Sequence, residues 1–217
     1  MFRLLFLIAL LQFHQPVFST EDTVSQAVAR YLTRIHKYME DEDWINAKRE
    51  LEVTARRYFK NEDSYERALI NQLYGQFYAL QRDYKNAIPW FEKAIAKGRL
   101  PFAADLQVSY SLAQCYFQTG RYKDVIETLE NYRDKASKRG QNMAPIQLML
   151  LGIAYYQEQD TLNAYLNIAE ANATATKLNE EWLQYEFALA VKLEKYDDAV
   201  RVCLLYTSDA ADETTGV

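Results

Sequence analysis

Residues 69–94 read Leu69-Ile-Asn-Gln-Leu-Tyr-Gly-Gln-Phe-Tyr-Ala-Leu-Gln-Arg-Asp-Tyr-Lys-Asn-Ala-Ile-Pro-Trp-Phe-Glu-Lys-Ala94. Small and aromatic residues fall here at fixed offsets that suit two antiparallel helices. Helices cross closely only where the crossing residues are small. Gly75 lies on the first helix, Ala87 and Ala94 on the second. Tyr78, Tyr84 and Phe91 fill the space around them.

The same offsets recur. Aligned on the alanine of the second helix, one copy reads Tyr31, Tyr38, Trp44, Ala47, Leu51. Another reads Leu112-Ala113, Tyr116, Gly120, Tyr122, Val125, Leu129. A third reads Leu151-Gly152, Tyr155, Ala164, Ile168, Ala171, and a last reads Phe187, Ala190, Tyr196, Ala199. The spacings from Ala47 through Ala87, Val125 and Ala164 to Ala199 are 40, 38, 39 and 35 residues. Gly98 with Pro101, and Gly140 with Pro145, mark a helix stop followed by a helix start. Thr23 with Gln26 reads as a capping box opening the first helix. No alternating strand pattern occurs, so an all-α chain is expected.

This pattern resembles the tetratricopeptide repeat (TPR), a helix–turn–helix unit of about 34 residues. The resemblance implies a right-handed α-solenoid of about five repeats, the last truncated. The units fall near residues 28–67, 68–105, 106–144, 145–179 and 180–202. Every spacing exceeds the family period, so helices or loops are stretched.

Both ends read differently. Arg3 precedes the apolar run 4–11, and Val17-Phe18-Ser19 offers a cleavage site. Residues 1–19 resemble a secretory signal peptide, too short to span a membrane. Export to a bacterial periplasm is the expectation. Residues 203–217, opening Cys203-Leu-Leu-Tyr-Thr-Ser-Asp, match the translation of a transposon-end sequencing adapter. They are set aside as a non-native tail, where the helical pattern is expected to dissolve.

Removing Arg3 and the three acids of the tail leaves 24 Lys and Arg against 27 Asp and Glu, a net charge near −3. No basic stripe with interleaved aromatics stands out, so nucleic acid is a poor partner. No second apolar stretch suggests a membrane span in the mature chain. Cys115 is the one cysteine left and is expected to be a buried thiol. His36 is the one histidine left, without a metal-ligand cluster or catalytic partner. Glu40-Asp-Glu-Asp43 lacks the glycine and distal glutamate of a calcium loop and reads as a solvated turn. Asn172-Ala-Thr174 is a formal glycosylation sequon, discounted because it falls in a helix. No phosphate cradle is signalled. No cofactor, no metal and no catalysis are expected.

In the TPR family the first helix of each unit lines the concave groove. Carried over, its groove positions take in Leu32, His36 and Met39, then Gln72, Gln76 and Leu80. They continue with Tyr110, Gln114, Phe117 and Gln118, then Ile146, Met149, Tyr156 and Gln157, and end with Gln184 and Lys192. The proposed partner-binding set is His36, Gln72, Gln76, Tyr110, Gln114, Phe117, Gln118, Tyr156, Gln157 and Gln184. Amides donate and accept, which suits the backbone of an extended peptide, and tyrosine adds apolar area with a polar tip. Packing between neighbouring units is the other reading of each polar residue, and for Leu32 the preferred one. Chaperone-tail clamps of this family need Lys and Asn at positions held here by Leu32/His36, Gln72/Gln76 and Tyr110/Gln114, so that partner is disfavoured.

A narrower resemblance rests on Lys97-Gly-Arg-Leu-Pro101, Ser111-Leu-Ala-Gln-Cys-Tyr116, Ala154-Tyr-Tyr-Gln157, Glu180-Glu-Trp182 and Leu193-Glu-Lys-Tyr196, in that order. These are similar to exported TPR proteins encoded beside TonB, ExbB and ExbD genes. The resemblance implies a non-enzymatic periplasmic scaffold that binds a protein or peptide, an envelope transport component, as an accessory to TonB-dependent outer-membrane transport. The fourth turn, Gln157-Glu-Gln-Asp160, departs from the pattern by lacking glycine. The alternative is the substrate-recognition arm of an enzyme whose catalytic domain is missing from a truncated frame.

Overall fold

A computed structural model describes residues 26–58 and 63–215. Among them the chain forms ten helices and no strand. They are α1 (Gln26–Glu40), α2 (Trp44–Tyr58), α3 (Tyr65–Leu80), α4 (Tyr84–Ile95), α5 (Phe102–Gln118), α6 (Tyr122–Ser137), α7 (Pro145–Gln157), α8 (Thr161–Thr174), α9 (Glu180–Lys192) and α10 (Tyr196–Thr215). Successive helices pair into five hairpins, one for each expected unit. Each helix packs on the one before and the one after, and α5 also reaches α7. Contacts this local are those of a solenoid, in which each repeat touches its neighbours alone.

The five hairpin turns share one conformation. Glu42, Arg82, Gly120, Gln159 and Glu194 have φ of 56°, 61°, 74°, 63° and 59°. The next residue then reaches back across the turn. Asp43 N–H donates to Tyr38 O, Asp83 to Tyr78, Arg121 to Tyr116, Asp160 to Tyr155 and Lys195 to Ala190. This is the Schellman closure of a helix end. Four ordinary residues take up the left-handed region at about 1 kcal/mol each. The fourth turn therefore keeps its geometry without glycine.

Each second helix starts in one register. Ala47, Ala87, Val125, Ala164 and Ala199 donate to the carbonyls of Asp43, Asp83, Arg121, Asp160 and Lys195. Asp43, Asp83 and Asp160 cap their helices through the backbone of Asn46, Asn86 and Asn163. The amides of those asparagines return a bond to the same carboxylates. The bonds to Asn46 hold the Asp43 carboxyl below its usual range. In the third and fifth units an ion pair replaces the cap, with Arg121 Nε 2.7 Å from Asp124 Oδ2 and Lys195 Nζ 4.0 Å from Asp198 Oδ2.

The residue at the hairpin crossing sets how closely each pair packs. Gly75 and Gly152 permit close crossings, since an added Cβ would stand 2.5 Å from Phe91 Cδ1 at the first and 2.6 Å from Ile168 Cγ1 at the second. Phe187, at the same offset in the fifth unit, lies 42% exposed. The α3 helix serves two cores. Its Ile70, Leu73 and Phe77 join Val28, Ile35 and Leu51 of the first unit. Its Ala68 joins the longer core that runs through Phe91, Leu129 and Leu151 to Ala199. Gly98 and Gly140, with φ of 58° and 67°, follow α4 and α6, and Pro101 and Pro145 introduce α5 and α7.

One expectation about the end of the chain is corrected. The helical pattern does not dissolve after Val202, because α10 runs unbroken to Thr215. Leu204, Leu205, Ala210 and Ala211 beyond Cys203 are good helix formers. The signal segment at residues 1–19 and the capping residue Thr23 lie outside the described residues.

Candidate partner-binding groove

The first helices of the five hairpins carry the expected groove residues, and the structure brings several together. His36 of α1 is half-buried and hydrogen-bonds with Gln76 of α3. Burial lowers its pKa, partly opposed by the Glu40 charge and the Gln76 bond. Lys192 Nζ of α9 stands 5.5 Å above the ring of Tyr156 of α7, which is 46% exposed. Both contacts join neighbouring units through candidate residues. Within α5, Tyr110 bonds with Gln114 one turn on, and burial pushes its hydroxyl up to about 12.

The remaining candidates divide by exposure. Gln118, Gln157 and Gln184 are exposed and make no side-chain hydrogen bond among the described residues. Gln72 is half-buried and Gln76 is buried. Their Oε1 atoms, and Oδ1 of Asn71, find no hydrogen-bond partner among the described residues. Phe117 turns to its own second helix, with its ring 5.5 Å from that of Tyr122. Leu32, Met39 and Met149 are buried and pack between helices. Ile146 and Leu80 are half-buried.

Polar links between units escaped the sequence reading. The Tyr116 hydroxyl donates to Glu92 Oε1 of the preceding unit at 2.6 Å. Tyr155 does the same to Glu130 Oε1 at 3.0 Å. Both glutamates stand five residues after the alanine-register position, and both tyrosines begin the turn closure. The signal is a Glu–Tyr pair 24 or 25 residues apart, visible once the repeat register is known. Further on, Asn167 of α8 accepts from Arg133 of α6. Glu186 of α9 is fully buried between Asn172 of α8 and Arg201 of α10, at 2.8 and 2.5 Å. The sequon asparagine thus spends its amide on Glu186 and the Trp182 carbonyl.

Reactive chemistry is sparse. The Cys115 thiol is buried, which pushes it up to about 12, far from a thiolate at neutral pH. Among the described residues no group of His, Cys, Asp and Glu is placed to hold a metal ion. No described helix is long and apolar enough to cross a membrane. Among the candidates, Gln118 of α5, Tyr156 and Gln157 of α7 and Gln184 of α9 are exposed and open to a partner.

The helix order and the repeated turn register decide the class. The fold is a TPR-type α-solenoid. Solved structures with this fold include the apo form of RapI, 13% identical, with a TM-score of 0.65 over 86% of this chain and 72% of that one. MamA from Desulfovibrio magneticus RS-1 is 17% identical, with a TM-score of 0.65 over 90% of this chain and 100% of that one. A tetratricopeptide repeat protein from Parabacteroides merdae is 14% identical, with a TM-score of 0.64 over 86% and 68%. Residues 80–142 match the family model of anaphase-promoting complex, cyclosome, subunit 3. That segment runs from the end of α3 to the loop before α7 of the TPR solenoid. No curated protein sequence matches the chain.

Proposed function

We propose that this TPR solenoid is a non-enzymatic periplasmic scaffold that holds a protein or peptide of the cell envelope in its concave groove. The role suggested by the ordered motifs is an accessory to TonB-dependent outer-membrane transport. The reading rests on contacts between candidate residues of neighbouring first helices. His36 meets Gln76 across units one and two, and Tyr156 meets Lys192 across units four and five. Exposed Gln118, Gln157 and Gln184 supply donors and acceptors on that set of helices, and half-buried Tyr110 supplies apolar area.

The test is calorimetric titration of the purified chain with the periplasmic domains of TonB and ExbD. The proposal expects saturable binding, weakened about tenfold or more by Tyr110→Ala or Gln114→Ala, the loss that follows from about 1.4 kcal/mol of contact. Binding of equal strength by well-folded variants would remove the groove. No binding to either domain would remove the transport assignment.

A further inference from the structure

A cavity of about 400 Å³ opens between α4 and α6, the second helices of units two and three. None of the groove candidates lines it. Its apolar side is Ile95 and Leu112, with the Tyr116 ring. Its polar side carries the carboxylates of Glu92, Asp124 and Glu127. Two cations also line it, Arg121 and Lys135.

The two cations are already matched. Arg121 Nε sits 2.7 Å from Asp124 Oδ2, and Lys135 Nζ sits 2.6 Å from Asp105 Oδ2. Arg121 also lies over the Tyr116 ring, 4.4 Å from its centre. Neither Glu92 nor Glu127 makes an ion pair among the described residues, although the Arg121 charge lies near enough to act on Glu92. Glu92 is held in place by the Tyr116 hydroxyl, which burial keeps protonated and donating. Ser109 is 4% exposed, lines the cavity, and makes no side-chain hydrogen bond among the described residues. A hydroxyl that lines a cavity can donate to or accept from whatever occupies it.

We propose that this cavity binds an alkylammonium group, with the methylenes on Ile95 and Leu112 and the ammonium between Glu92 and Glu127. The chemistry fits each wall. Methylenes gain from leaving water. A cation placed between two carboxylates makes charge-assisted bonds, and its third donor can reach the Ser109 hydroxyl. The group could come from a free polyamine or from a lysine side chain of a partner. The site lies apart from the groove and does not depend on it.

The experiment is backbone amide NMR of the whole chain at about 0.15 M salt, where loose surface attraction is screened. One arm titrates spermidine, the other acetyl-lysine-methylamide. The expected result is saturable shifts at Ser109, Leu112, Tyr116 and Glu127 in at least one arm. Spermidine alone would name a polyamine as source, and the lysine derivative alone a partner side chain. Glu127→Gln, on an exposed side chain with no structural partner, should weaken binding about tenfold, as should Glu92→Gln, which still accepts from Tyr116. Gln114→Ala should leave it unchanged. No shift in either arm overturns the proposal. So do shifts scattered over the acidic surface, or shifts that persist equally in both glutamate variants.

Discussion

Gly75 and Phe91 lie so close that a Cβ on the glycine would stand 2.5 Å from Cδ1 of the ring. Helix propensity favours alanine over glycine by about 1 kcal/mol. Overpacking a filled core costs about 1–3 kcal/mol. Sterics win here because Phe91 is 1% exposed and has no space to move into. Gly75→Ala is expected to destabilise by about 1–2 kcal/mol in urea unfolding. Phe91→Leu in the same chain should recover part of that loss, and additive effects would contradict the contact.

The hairpin turns invite the opposite change. Arg82 and Gln159 hold a left-handed conformation at the position where helices most often place glycine. Arg82→Gly and Gln159→Gly should each stabilise by about 0.5–1 kcal/mol, less the added freedom of the unfolded chain. Thermal melts of the two variants check this, and a loss of stability would show that the side chains are held by contacts.

The Glu–Tyr links make stability fall at high pH. Burial, the glutamate acceptor and its charge raise Tyr155, and burial, the Asp198 acceptor and its charge raise Tyr165, each to about 12. Burial raises Tyr116 as well, helped by its bond to Glu92. A hydroxyl raised in the folded state keeps its proton longer than in the unfolded state. Its contribution is whole below about pH 10 and is lost as pH climbs toward 12. Tyr116→Phe and Tyr155→Phe should each cost about 1 kcal/mol at neutral pH and flatten the alkaline limb of the melting curve. His36 works at the other end. Its lowered pKa means that stability is present above about 6.5 and falls as the medium is acidified through that value. His36→Gln should remove this part of the acid slope.

Glu186 is fully buried, whereas the side chain of its partner Arg201 is 51% exposed. Removing Arg201 strands a buried carboxylate. Removing the carboxylate leaves an arginine that reaches water. Arg201→Ala is expected to lower Tm more than Glu186→Gln, which keeps the bond to Asn172. In the double variant the loss should shrink below that of Arg201→Ala alone. A larger loss in the double variant would contradict the pairing.

Much of this architecture was legible because a repeat is visible before any contact is known. Aligning Ala47, Ala87, Val125, Ala164 and Ala199 placed every hairpin turn correctly. It worked because one backbone bond, from that residue to the cap carbonyl, recurs in all five units. The caps themselves were missed. Asp43-x-x-Asn46, Asp83-x-x-Asn86 and Asp160-x-x-Asn163 form a motif, but Arg121 and Lys195 interrupt it with reversed charge. The groove was harder. A repeat position says which helix a residue lies on and not how deep it sits. Gln76 is buried where Gln118 and Gln184 are exposed, and Phe117 turns to Tyr122 instead. Depth depends on the neighbouring unit's side chains, which no single unit encodes. The cavity between α4 and α6 was invisible for the same reason, since its lining comes from three helices.

The most direct measurement is site-specific photo-crosslinking in the native cell. A photoreactive residue would replace Gln118 or Gln184 on first helices, and Lys85 or Lys123 on second helices, all four being exposed. The groove account predicts a discrete protein adduct from the first pair and none from the second. Adducts of the same size and yield from both pairs, or from the second pair alone, would contradict it.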